Sequence, residues 1–136
     1  MNIVETEFWC LMLPPEWIAE QEEDVIYIYD EDEIGELTIT TLIREESADA
    51  SSEPEELARS ESPEVGEWQP VQLGAFSGVT GGFEEDEASV REWYISFGRA
   101  LLYVTYICDR GDIGMDDAAV DEILDTLVPG DALVQH

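Results

Sequence analysis

The stretch "REWYISFGRALLYVTYICD", Arg91 to Asp109, decides the fold. It is rich in β-branched and aromatic residues and is broken once, at Gly98-Arg99, a connection short enough to demand an antiparallel pair. In the first arm Arg91, Trp93, Ile95 and Phe97 point one way while Glu92, Tyr94 and Ser96 point the other. In the second, Leu101, Tyr103, Thr105 and Ile107 oppose Leu102, Val104, Tyr106 and Cys108, and both rows are largely apolar. A strand apolar on both rows belongs at the centre of a sheet with both faces covered.

Upstream, "EWQPVQL" and "FSGVTGGF" join these arms through short turns at Leu73-Gly74 and Glu84 to Ala88, which makes a four-strand meander. The glycines of "LGAFSGVTGGF" lack the GxGxxG spacing and a following GK[ST], and they lie in a strand region, so they predict bulges or a tight bend, not a phosphate cradle. Further upstream, "VIYIYD" and "ELTITTLIR" form another pair, in which Leu37, Ile39, Thr41 and Ile43 alternate with Glu36, Thr38, Thr40 and Leu42. The acidic connection Glu31 to Gly35 reads as their turn, with Gly35 free to take a positive φ. The continuously apolar run "EFWCLML", Glu7 to Leu13, ends at Pro14-Pro15 and predicts a first strand covered on both faces.

Two covers are then required. One is an amphipathic helix over Met115 to Val128, with Ala119, Val120, Ile123, Leu124 and Leu127 on one stripe, Asp116, Asp117 and Asp121 toward solvent and the positive helix end, and a stop at Pro129-Gly130. The other comes from the segment around Pro15 to Glu22, from a helix around Pro54 to Ser60, or from a partner molecule. The stretch Glu45 to Pro63 is poor in large apolar residues, Leu57 alone excepted, and it reads either as a short helix capped by Ser52 and Glu55 or as a solvated crossover and the least ordered segment. The expected fold is α+β: an antiparallel sheet of about seven strands flanked by helices, with the C-terminal amphipathic helix packed on the sheet, in a single domain spanning 1–136.

Charge bounds the partners. The chain has 5 Lys plus Arg, all of them Arg, against 34 Asp plus Glu, a net charge of −29. Nucleic acid is not expected as a partner, because phosphate binding needs Lys and Arg, and an anionic membrane surface is disfavoured for the same reason. Three readings remain: solvation in a salty or solubility-demanding interior, reception of a basic protein, or imitation of the charge of DNA. No secretion signal is recognisable and no run approaches about 18 consecutive apolar residues, so a cytoplasmic protein is expected. Cys10 and Cys108 sit in apolar runs without a second pair, and read as buried free thiols.

Catalytic chemistry finds little support. A calcium loop beginning at Asp30 has Asp32 and Gly35 in place, but Ile34 and Thr41 stand where two oxygen ligands are needed, and the frame from Asp109 fails at Gly111 and Val120. The one histidine is the last residue, His136, so no Ser, Cys or Thr has a positioned base. Among 34 acids, carboxylate pairs at suitable spacing carry no information. No cofactor, no metal site and no enzyme activity are expected. The aromatic residues are abundant, and Trp17, Tyr27, Tyr29, Trp68 and Tyr94 are candidates for a protein-binding surface if they share an exposed sheet face; otherwise they fill the space between sheet and helices.

The order strand, "LPPEW", two strands, crossover, four-strand meander and terminal helix resembles the PsbP-like superfamily. That group includes the photosystem II extrinsic protein, Ran-binding Mog nuclear import factors and bacterial chaperones of type VI secretion effectors. The likeness is carried by Leu13, Pro14 and Trp17, by Gly35-Glu36-Leu37-Thr38-Ile39, and by "REWYISFGRALLYVTYICD" leading into "VDEILDTLV". It implies an antiparallel sheet flanked by helices and a binding role. The crossover departs from the family in being short and poor in apolar residues, and no Ran-binding or photosystem motif is present, so only the fold is carried over. The expected function is a non-catalytic protein-binding module, an effector-associated chaperone or immunity-type protein for a basic or hydrophobic partner. The alternatives are an acidic housekeeping domain adapted to salt or solubility, and a carboxylate-based metal-assisted hydrolase.

Overall fold

The computed structural model describes residues 2–31, 34–43 and 53–131. Seven strands make one antiparallel sheet: β3 (Trp17–Glu22), β4 (Val25–Asp30), β5 (Gly35–Ile43), β9 (Ala100–Asp109), β8 (Ala88–Phe97), β7 (Phe76–Glu85) and β6 (Gln69–Leu73), adjacent in that order. A smaller sheet has β2 (Trp9–Leu13) between β1 (Asn2–Glu5) and the two-residue β10 (Val128–Pro129). Among the described residues two α-helices, α1 (Glu53–Glu61) and α2 (Asp117–Asp125), and a short 3-10 turn at Arg110–Asp112 complete the fold. The fold class is α+β.

The Arg91 to Asp109 stretch folds as its pattern demands. It forms β8 and β9, paired from Ala88↔Asp109 to Phe97↔Ala100, and β9 occupies the middle of the seven. Its first half is buried on both rows, Leu101 and Leu102 alike, whereas toward Asp109 one row opens and Ile107 is exposed. The inner face of the sheet supplies Ile26, Ile28, Leu37, Ile39, Trp93, Ile95, Leu102, Val104 and Tyr106 to the main core. Trp9, Leu11 and Leu13 of β2 and Val120, Ile123 and Leu124 of α2 close that core from the opposite side. Trp9 Nε1 donates to Thr41 Oγ1 at 2.9 Å, which joins the two sheets by a satisfied indole.

Several expectations need correction. The strand count is right but its membership differs. The first apolar run leaves the large sheet for the small one, and its faces alternate: Trp9, Leu11 and Leu13 are buried, Cys10 is half-buried and Met12 is exposed. The place it vacates is taken by Trp17–Glu22, an edge strand and not a helical cover, whose residues after Trp17 are all exposed. The C-terminal helix is shorter than its apolar stripe, because Leu127 is buried beyond its end and Pro129 pairs with Trp9 in β10. Asp116 is buried, not solvated, and accepts from Tyr106 OH at 2.5 Å. The register of β7 on β8 runs without a bulge from Ser77↔Ser96 to Glu85↔Ala88. Gly81 is needed there because a Cβ would strike Val65 and Trp68 of the segment crossing above it. Asp32 and Glu33 and the whole of 44–52 lie outside the described residues, and with them the proposed cap at Ser52, the first part of the Glu45 to Pro63 crossover and part of the calcium frame.

Candidate functional site

Paired residues share a face, so the registers assign the outer face of the large sheet row by row. One row runs Ile18, Tyr29, Glu36, Ile107, Val90. The next runs Glu20, Tyr27, Thr38, Thr105, Glu92. The third runs Glu22, Val25, Thr40, Tyr103, Tyr94 and then Val79 of β7. Each row crosses from an exposed edge at β3 to a buried residue on β8.

The β8 side of this face is covered. Ala58 of α1, Val79 and Tyr94 form a small buried cluster, with Leu57, Trp68 and Tyr103 packed against it. Trp68 meets Tyr94 edge-on with ring centroids 5.7 Å apart, and Tyr94 meets Tyr103 at 4.7 Å. Ser62 Oγ and Tyr94 OH lie 2.8 Å apart, which ties the end of α1 to the sheet. Burial raises the Tyr94 phenol above its ordinary value, against the pull of the Ser62 hydrogen bond. Tyr103 OH donates to Glu92 Oε2, and burial followed by this carboxylate neighbour raises the Tyr103 phenol strongly.

The β3 side is open among the described residues. Ile18 is 44% exposed and Ile107 46%, while Tyr27 and Tyr29 are half-buried between them and Leu42 is exposed on β5. A depression of about 490 Å³ lies at the Gly35 end, with Tyr29, Ile34 and Ile107 beside Glu20, Glu36 and Asp109. Among the described residues no basic one lines it. Tyr29 OH donates to Glu20 Oε1 at 2.9 Å, which ties the ring to the edge strand. A larger open cleft of about 970 Å³ separates the two sheets, bordered by Glu5, Glu23, Asp24 and Asp131 with Phe8 and Ile26. None of the aromatic candidates borders that cleft.

The five candidates of the sequence therefore do not form one surface. Trp17 lies in the main core, Tyr94 lies under α1, and Trp68 packs on Tyr94. Tyr27 and Tyr29 alone reach the open half. What the sequence missed were Ile18 and Ile107, which flank them. The signal was present: in "EWIAEQE" Trp17, Ala19 and Gln21 alternate with Ile18, Glu20 and Glu22, a strand pattern with one apolar residue on an otherwise acidic row.

Neither cysteine has features of a reactive thiol. Both are free, and both are raised above the ordinary thiol value, burial first and neighbouring carboxylates after it. Among the described residues no group of three or more His, Cys, Asp or Glu is gathered to hold a metal ion. No helix among them is long and apolar enough to cross a membrane.

No family model and no curated protein sequence matches the chain. Solved structures do. A protein of Bacteroides thetaiotaomicron aligns over 93% of this chain at 15% identity with a TM-score of 0.69, and the chain spans 47% of that structure's length. LpqN of Mycobacterium tuberculosis, involved in cell envelope biogenesis, aligns over 90% of this chain and 83% of its own at 15% identity and a TM-score of 0.56. A cyanobacterial PsbP from Synechocystis also aligns, over 94% of this chain and 91% of its own, at 10% identity and a TM-score of 0.41. The likeness to the first two structures is one of fold alone, and no functional residue is carried across by it.

Proposed function

We propose that the protein is a non-catalytic protein-binding module that offers the open half of its outer sheet face to a basic partner with an apolar strip. One observation carries this reading: exposed Ile18 and Ile107 and half-buried Tyr29 stand with Glu36 in a single row across four adjacent strands, and among the described residues the carboxylates beside them have no basic neighbour in the depression. Aromatic and aliphatic side chains ringed by charge are the composition of a protein contact. The surrounding field of −29 speeds the arrival of a cationic partner and repels nucleic acid and anionic membrane.

A cytoplasmic effector-associated chaperone or immunity-type protein fits these features, since either would shield a basic or hydrophobic surface. No step of acid, base or nucleophilic catalysis is assigned to any residue. The experiment is retention of a stoichiometric partner from host lysate by the full chain, compared with a chain carrying Tyr27→Glu and Ile107→Glu. Loss of the partner by the variant supports the reading, and equal retention removes it.

A further inference from the structure

The other half of the outer face is held closed over a carboxylate that the fold does not satisfy. Glu92 is 4% exposed, and although Tyr103 OH donates to its Oε2, its Oε1 has no hydrogen-bond partner among the described residues. A buried carboxylate with one unsatisfied oxygen is costly, and the cost falls on whatever keeps water away from it. On this face the segment following α1 runs above Gly81, the residue paired with Glu92, and α1 itself packs on Tyr94, the next residue of β8 on the same face.

The cover has little to offset that cost. Within α1 the buried apolar residues are the small Pro54 and Ala58, Leu57 is only half-buried, and beyond the helix Val65 is the one buried apolar side chain before β6 among the described residues. The ion pair Arg59–Glu55 lies within the helix and is exposed, so it does not fasten the helix to the sheet. The small cluster beneath is separate from the main core, which leaves the core intact if the cluster opens.

We infer that α1 is a displaceable cover, and that lifting it extends the docking face along the existing rows from Tyr27 and Val25 to Tyr103, Tyr94 and Glu92. This rests on the reading of the outer face as a docking surface. In the lifted state Glu92 gains solvent or a cationic side chain of the partner, and the aromatic rings of Tyr94, Tyr103 and Trp68 become contact area. A partner that engages both halves then binds in competition with α1, and the cover sets its affinity.

The test needs no partner. Native-state amide hydrogen exchange on the full chain should show α1 opening locally, with amides exchanging roughly a hundredfold faster than those of β9. Glu92→Gln keeps an acceptor for Tyr103 and removes the charge, and should slow α1 exchange about tenfold; Ser62→Ala removes the tie to Tyr94 and should speed it about fivefold. Neither should move β9. Exchange of α1 and β9 in one global event overturns the inference, as does an α1 rate that Glu92→Gln leaves unchanged or raises. If α1 opens as stated while Tyr27→Glu and Ile107→Glu leave partner retention intact, the docking reading fails and the mobile cover stands.

Discussion

The ring of Tyr106 lies where a side chain at Gly35 would have to be. A Cβ built on Gly35 overlaps the phenol oxygen and the ring carbons of Tyr106, although Gly35 is not among the glycines with positive φ. Its role at the head of β5 is to admit the ring, not to turn the chain. The ring cannot easily give way, because Tyr106 OH is bonded to buried Asp116 at the start of α2. Gly35→Ala should therefore lower stability by about 1–3 kcal/mol, as overpacking does. Denaturant unfolding measures it, and an unchanged midpoint would show that the ring moves freely.

Much of this was readable from residue order, and the limits are physical. The two-sided apolarity of Ala100 to Cys108 located the central strand because period-two patterning survives wherever a strand lies. The same patterning could not say which sheet Trp9–Leu13 joins, since a run apolar on both rows fits either. Aromatic abundance named five surface candidates, but exposure of an aromatic on a sheet depends on what crosses above it. Tyr94 and Tyr27 lie on the same face, and α1 together with Trp68 covers the first and not the second. The burial of Glu92 and Asp116 was not legible at all, because among 34 acids nothing local distinguishes them.

Alkaline pH should unfold the protein through its buried phenols. Tyr94, Tyr103 and Tyr106 are all raised by burial first; a carboxylate hydrogen bond adds to it at Tyr103 and Tyr106. A phenol whose folded value is raised stabilises fully while both states hold the proton. That stability is lost as pH climbs past the unfolded value of about 10 toward the folded one. The melting temperature should be flat across neutral pH and fall above about pH 10, with three of the five tyrosines ionising only as the chain unfolds. Tyrosinate absorbance that titrates fully in the folded protein would contradict this.

Salt should stabilise the chain. Only five cations offset 34 carboxylates, and Arg91, the best placed, is already committed to Asp117 and Asp121 over the face of Trp93. The remaining repulsion is long-ranged at low ionic strength, so raising salt from about 50 mM to about 1 M should lift the melting temperature by several degrees. A melting temperature indifferent to salt would show that the carboxylates are too well separated to strain the fold.

The open half of the outer face is tested most directly by comparing what the full chain and its Tyr27→Glu, Ile107→Glu variant retain from host lysate, at about 50 mM and about 500 mM salt. Met115→Glu, at a residue 66% exposed outside the sheet, serves as the control. The account predicts a stoichiometric basic protein held by the wild type and the control and lost at least about tenfold by the face variant, whose melting temperature stays near that of the wild type. A partner retained equally by all three, or none retained by the wild type at either salt, would contradict it.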